Sequence, residues 1–350
     1  MTASSTPIRW GIVATGGIAH TLAGEILLLG DAEIVAVSSR SRERAQVFAG
    51  EFDIPRAYGS YEELLADGAV EIVYVATPHA QHAEVVGRAI DAGKAVLCEK
   101  AFTTSLAATE DLVRKARERG VFCMEAMWTR FIPVVGTARQ IVANGGIGEV
   151  RSVSADLGFR AGPGAKDRIW DPALGGGALL DIGIYPVAFA QMLLGSPDTL
   201  AVHGTLTADG VDAEVGLLLG WDSGAFALLE TSLLALTGNT AKIVGTEGRL
   251  DVPPMFHHPS RLIHTDGTGQ ARVYEHEPEG RGYVPMLRAV QRCLREGRTE
   301  TAEMPLADTV AVMRVLDQAL RALGVRYPEP APIAPRAYSP RGHRLGTSTP

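Results

Sequence analysis

Cysteine is scarce. Cys98, Cys123 and Cys293 are the only three in 350 residues, an odd number at wide spacing, which leaves neither a disulfide framework nor a Cys-x-x-Cys metal or redox site. Reduced, buried thiols are the expectation. Excess positive charge is missing too. Lys and Arg number 33 against 40 Asp and Glu, for a formal net charge of −7, and the basic residues form no blocks. The chain therefore lacks the electrostatic footprint of a nucleic-acid binder. Long apolar runs are interrupted, as at 176–194 by Asp181 and Pro186, short of the ~20 residues a membrane helix needs, and no membrane partner is expected. The opening MTASSTPIRW carries no charged segment followed by an apolar core and cleavage site, so the expected location is cytoplasmic.

What is present is apolar material, 46% of the chain, over a length of about two domains. From 8 to 126, short β-branched runs alternate with helical patterns, the signature of βαβ units around a parallel sheet. Strands are expected at Ile8–Ala14, Glu33–Ser38, Glu71–Ala76, Ala95–Cys98 and Val121–Glu125. Helices fall at 17–29, 41–52, 60–67, 79–92 and 105–119, with Gly30, Gly93 and Gly120 as stop signals. After about 147 the pattern changes to longer alternating runs at 150–158, 198–207, 214–221, 225–234 and 271–276, which reads as a mixed, mostly antiparallel sheet. Helices at 178–194, 284–296 and 306–323 are expected to cover one face. The fold class is α/β: a Rossmann dinucleotide-binding domain (1–126), an α+β domain for substrate binding and dimerisation (127–327), and a proline-rich tail (328–350) that is extended or disordered. Strands around Leu217–Leu219 and Phe226–Leu229 look apolar on both sides, so the free sheet face is expected to meet a second copy, giving a homodimer or higher homo-oligomer.

The first strand runs into Ala14-Thr15-Gly16-Gly17-Ile18-Ala19 and then a helix, the strand, turn and helix that seat a pyrophosphate on helix N–H groups. Ala14 and Ala19 stand at the first and third glycine positions of G-x-G-x-x-G, and Gly16, where backbone approaches phosphate, is kept. An ordinary βα turn has the same outline. The second strand ends in Ser38-Ser39-Arg40-Ser41-Arg42-Glu43-Arg44, with no acid to hold a ribose 2′-hydroxyl. Ser39, Arg40 and Arg44 suit a 2′-phosphate instead, so NADP is expected ahead of NAD.

Further on stand Thr77-Pro78-His79-Ala80-Gln81-His82, then Cys98-Glu99-Lys100-Ala101, Met124-Glu125-Ala126-Met127-Trp128-Thr129-Arg130-Phe131, and Gly175-Gly176-Gly177-Ala178-Leu179-Leu180-Asp181-Ile182-Gly183-Ile184-Tyr185. In order and spacing this set resembles the Gfo/Idh/MocA oxidoreductases over about residues 7–327, and is most similar to their dihydrodiol and D-xylose dehydrogenase branch. The resemblance implies that Lys100 is the lysine of the family's Glu-Lys-Pro motif, with Glu99 before it and Ala101 in place of the proline, that Asp181 is the helix acid, and that Tyr185 is the catalytic base. It implies hydride transfer between NADP and a cyclic polyhydroxy substrate, a trans-dihydrodiol or a pyranose sugar. Reduction of a sugar or dicarbonyl by NADPH is the alternative, and a cofactor-sensing regulator on the same scaffold is a third reading, against which the retained Lys100, Asp181 and Tyr185 argue.

The chemistry asks for a base, an oriented carbon and support for a developing alkoxide. Asp181 and Tyr185, at i and i+4, share one helix face, and an ammonium beside Tyr185 favours its phenolate. Lys100 follows a parallel strand at the carboxyl edge, where open α/β sheets bind ligands. His79 and His82 lack further ligands for a metal, so none is expected. One or both line the cofactor cleft after Thr77-Pro78. Trp128 and Phe159 are candidates for the substrate pocket wall, Arg130 and Arg168 for substrate contacts or structural ion pairs.

Overall fold

The computed structural model describes residues 6–162, 167–329 and 333; most of the expected tail lies outside these residues. The first sheet is all parallel, in the order β3-β2-β1-β4-β5-β6. Its strands are β1 (Ile8–Val13), β2 (Ala32–Ser38), β3 (Ala57–Tyr58), β4 (Ile72–Val75), β5 (Ala95–Cys98) and β6 (Cys123–Glu125). Helices α1 (Gly17–Ile26), α2 (Arg42–Glu51), α3 (Tyr61–Leu65), α4 (His79–Asp91) and α5 (Leu106–Arg119) alternate with them. Strands β4 and β5 are buried along their whole length, as a sheet covered on both faces requires. Strand β3, two residues at the sheet edge, is too short to leave a periodic signal.

Helix α6 (Pro133–Ala143) leads into an eight-stranded sheet in the order β14-β13-β12-β11-β7-β10-β9-β8. Its strands are β7 (Val150–Gly158), β8 (Thr199–Leu206), β9 (Asp212–Gly220), β10 (Phe226–Ser232), β11 (Ala241–Gly245), β12 (Gly248–Val252), β13 (Arg261–Asp266) and β14 (Ala271–Glu275). The pairing is antiparallel except between β7 and β10. Helix α6 and strands β11, β12 and β13 were not expected from the sequence. The strands are five or six residues long, interrupted by lysine, arginine, aspartate and histidine, and depend on their neighbours for definition.

Three helices complete the chain: α7 (Ile184–Leu194), entered through a single π turn at Leu179–Gly183, α8 (Val284–Arg295) and α9 (Leu306–Leu323). Helices α7 and α9 cover the large sheet. Helix α8 does not; it packs on α1 and on the short turn Trp128–Phe131, because its apolar stripe, Met286, Leu287, Val290 and Cys293, meets the apolar core that α1 helps to build. The segment Pro172–Leu194 is, by length and composition, apolar enough to cross a membrane, contrary to the sequence expectation, but 83% of its most apolar window is buried inside the fold.

Arg130, a candidate for substrate contact, does not reach the cleft described below. Its side chain is 2% exposed and pairs with Asp308 of α9, while also donating to the Ala188 carbonyl oxygen at 3.2 Å and to Gln191 of α7. It ties the turn after β6 to both covering helices. Removing Arg130 leaves Gln191 and a half-buried Asp308 without their partner and costs about 1–3 kcal/mol. Arg130→Ala should therefore lower the melting temperature while dinucleotide affinity, measured by titration calorimetry on the folded variant, stays within a few fold. Loss of affinity at unchanged stability would return Arg130 to the site.

Candidate active site

One cleft of about 940 Å3 runs along the carboxyl edge of the parallel sheet and under the π turn. At one end β1 passes into Ala14, Thr15, Gly16, Gly17 and Ile18, all of which line it. Ala14 takes a φ of 80°, the left-handed conformation a glycine would adopt freely. A Cβ on Gly16 would meet nothing within 4 Å, so the backbone there is open to the cleft. Helix α1 begins with no side-chain cap, leaving its first N–H groups and positive dipole end open to an anion. Ala19 departs from expectation. It is fully buried and faces the core rather than the cleft, as close helix–strand packing at the third glycine position demands.

At the end of β2, Ser39, Arg40, Ser41 and Arg44 line the same cleft. Ser41 also caps α2, accepting from the Arg44 N–H at 3.3 Å. Arg42 turns away to Glu63, 2.8 Å from its carboxylate, whereas no carboxylate partners Arg40 or Arg44 among the described residues. Thr77 and Pro78 follow β4, and the buried Thr77 hydroxyl has no hydrogen-bond partner among the described residues. An open glycine turn, an uncapped helix start, two unpaired guanidinium groups and an orphaned hydroxyl along one cleft fit an extended, phosphate-bearing dinucleotide.

The histidines divide. His79 lines the cleft, but its Nδ1 lies 2.8 Å from the Gly175 carbonyl oxygen and its Nε2 3.1 Å from that of Lys100. Burial, with His82 and Lys100 adding to it, pushes it down to about 3. His82 does not reach the cleft. It is fully buried, with ring nitrogens 2.9 Å from the Ala101 oxygen and 2.8 Å from the Thr77 oxygen. Both rings brace the loop that presents Lys100. The Lys100–Ala101 peptide is cis.

At the far end of the cleft from the glycine turn, the two modules meet. Lys100 Nζ lies 3.7 Å from Asp181 Oδ1, donates to the Asp181 carbonyl oxygen and sits 5.2 Å from the centre of the Tyr185 ring. Arg168 Nη2 is 3.1 Å from the same Asp181 oxygen. Burial pushes the Asp181 carboxyl up, but Lys100, Arg168 and His79 together pull it down to about 2, so it is a fixed anion. Glu99, on the cleft floor, is raised by burial while accepting from the Tyr74 hydroxyl at 2.5 Å.

Tyr185 differs from the expectation. Trp128 Nε1 donates to its oxygen at 2.9 Å, yet burial, joined by Glu99, Asp181 and Glu125, raises the phenol well above its ordinary range. Burial disfavours the phenolate more than one ammonium favours it. Its oxygen accepts one hydrogen bond and keeps its own proton to donate.

Trp128, Phe159, Arg168, Asp181 and Tyr185 all line the cleft, as expected. Tyr283 and His257 do so as well, and no periodicity marks them, because both lie on loops. The Tyr283 ring stacks on Trp128 at 4.3 Å between centroids and 15° between planes. Its loop is held by Glu25 of α1, which accepts from the N–H groups of Arg281 (2.8 Å) and Tyr283 (3.3 Å). Gly280 permits that approach, since a Cβ there would lie 2.5 Å from a Glu25 oxygen. The one available signal was an acid on the apolar face of α1, beside Leu22 and Ile26. Thr21, Tyr61, Ala76, Leu157 and Ile182 complete the lining without sequence warning.

Comparison with known proteins agrees with this geometry. Residues 8–127 match the GFO/IDH/MocA model described as an oxidoreductase family with an NAD-binding Rossmann fold, and residues 135–251 match the GFO/IDH/MocA C-terminal domain. The chain is 36% identical to the trans-1,2-dihydrobenzene-1,2-diol dehydrogenases of Mus musculus and Homo sapiens, covering 92% of this chain and 98% of each of those. Among solved structures it is similar to the 3-ketoreductase KijD10 of Actinomadura kijaniata, solved in complex with NADP and TDP-benzene (29% identity, TM-score 0.79, covering 90% of this chain and 98% of that one). It is also similar to an aldose-aldose oxidoreductase of Caulobacter crescentus (25% identity, TM-score 0.82, covering 91% and 98%). With both halves matched, in the order the two sheets display, the chain belongs to the Gfo/Idh/MocA family of oxidoreductases.

Proposed function

We propose that this oxidoreductase uses NADP in preference to NAD and moves a hydride between the nicotinamide and a hydroxyl-bearing carbon of a cyclic polyhydroxy substrate, a trans-dihydrodiol or a pyranose such as D-xylose. The observation that carries this reading is the convergence of Lys100, Asp181 and Tyr185 on one point of the cleft, beside an aromatic wall of Trp128 and Tyr283. The relatives' names, a dihydrodiol dehydrogenase and an aldose-aldose oxidoreductase, support the substrate class. The dinucleotide supplies the hydride donor or acceptor. The protein handles the proton: Tyr185 exchanges it with the substrate oxygen, the Lys100 ammonium stabilises that oxygen as it gains negative charge, and Asp181 with Arg168 fixes the ammonium.

A second reading, NADPH-dependent reduction of a sugar or dicarbonyl, is favoured by the protonated phenol, which is the form that donates to a carbonyl oxygen. The two directions then respond oppositely to pH. Oxidation needs the phenolate and should accelerate as pH rises towards the raised Tyr185 range, whereas reduction should hold steady until that range is reached and then fall. Lys100→Met and Tyr185→Phe should each lower turnover at least ~100-fold with cofactor affinity within a few fold, and the double variant should lose little more, because members of one proton relay act as a unit. Near-normal turnover in Lys100→Met would remove Lys100 from the relay.

Arg40 and Arg44 support the cofactor preference. Arg40→Ala should weaken NADP binding by about 1.5–3 kcal/mol and leave NAD binding nearly unchanged. Equal loss for both would overturn the assignment.

The homodimer is proposed on the open sheet face. Leu218 (47% exposed) and Leu228 (53%) are cross-strand partners on it, with Phe226 alongside, while Leu217, Leu219, Ala227 and Leu229 face the core. Sedimentation at micromolar concentration should give a dimer, and Leu228→Glu should give a monomer. A monomeric wild type would refute this face as the interface.

A further inference from the structure

Asp212, the first residue of β9, is fully buried, and among the described residues no Lys, Arg or His side chain bonds it. Its Oδ2 accepts from the Leu179 N–H at 2.6 Å, and the Ala178 N–H adds to the same field. Burial pushes the carboxyl up to about 6 against these backbone bonds. An acid held at such a cost to its ionisation has no counter-ion. What it meets is the start of a helix, whose first N–H groups lack intrahelical partners and whose dipole favours an anion.

That start leads directly to the reacting pair: Leu179 opens the π turn, Asp181 lies within it and Tyr185 follows in α7. The glycine turn is shaped around the same carboxylate. Gly177 takes a φ of 116°, and a Cβ there would lie 2.2 Å from Asp212 Oδ1. Tyr327 closes the arrangement from beyond α9, donating to the Gly176 carbonyl oxygen at 2.8 Å.

We propose that Asp212 is a positioning residue for the reaction: its carboxylate, reaching across from the large sheet, clamps the Leu179 N–H that opens the π turn and so sets where Asp181 and Tyr185 stand against Lys100 and Trp128. Gly177 is required for the clamp to close. This rests on the reading of Asp181 and Tyr185 as the reacting pair. A displacement of about 1 Å at such a pair costs up to ~100-fold in turnover.

The test uses the indole N–H resonances of the 15N-labelled full-length protein, whose four tryptophans make a simple spectrum, with Trp128→Phe assigning the one bonded to Tyr185. Asp212→Asn keeps the size and removes the charge; Gly177→Ala leaves the acid and pushes it away. In both, the Trp128 resonance should move in the direction seen for Tyr185→Phe. Turnover with NADP and D-xylose or a trans-dihydrodiol should fall about 10- to 100-fold at nearly constant KM and cofactor affinity. An unmoved Trp128 resonance in either variant, folded by circular dichroism, overturns the clamp, and Gly177→Ala decides if Asp212→Asn fails to fold. Absence of turnover in the wild type would sink the proposed reaction, while the resonance would still decide the clamp.

Discussion

The Lys100–Asp181 contact is the constraint on which the rest of the site depends. Lys100 comes from the loop after β5 of the parallel sheet and Asp181 from the π turn above the large sheet, and both are nearly withdrawn from water. Neither charge is tolerable there alone, because an unpaired buried ion costs several kcal/mol. Each module therefore presents an ion that the other must neutralise, and meeting that need fixes the geometry of the cleft at their junction. Arg168 joins from a third segment, so the pair is a small network oriented by the fold rather than an isolated bridge.

Around this junction, three other buried acids each accept a hydrogen bond from a group that keeps the cleft walls still. Glu99 takes the Tyr74 hydroxyl, Glu125 accepts from the Phe102 N–H just past Lys100, and Asp212 takes the Leu179 N–H that opens the π turn. Each bond links a strand to the loop or turn that carries Lys100 or Asp181. The two histidines of α4 do the same from the other side, facing the carbonyl oxygens of Lys100 and Ala101. The same economy of contacts explains the aromatic wall, where a single acid on α1 holds the loop of Tyr283 and lets it stack on Trp128.

Much of this was legible in residue order. The alternation of β-branched runs with capped helices specifies a parallel sheet, because only helices returning over a sheet give that spacing, and the turn from Ala14 to Ile18 followed by Ser39, Arg40 and Arg44 marks the strand ends that line the cleft. The lysine after β5 and the Asp181 and Tyr185 pair were readable from local wording. Strands β11 to β13, Tyr283 and His257 were not, since short polar strands and loop residues acquire their places from neighbours distant in sequence.

Local sequence thus determined which segments form helices and strands and which side chains stand at the strand ends around the cleft, through periodicity, glycine turns and helix caps that act over a few residues. Tertiary structure alone decided the protonation and the allegiance of those side chains. Tyr185 is a donor rather than a ready base because burial outweighs one nearby ammonium, and Arg130 is a strut because Asp308 and Gln191 reach it first. His82 braces a loop because backbone carbonyls occupy both its nitrogens. Desolvation and long-range pairing are sums over everything within several ångströms, and no stretch of sequence contains its own surroundings.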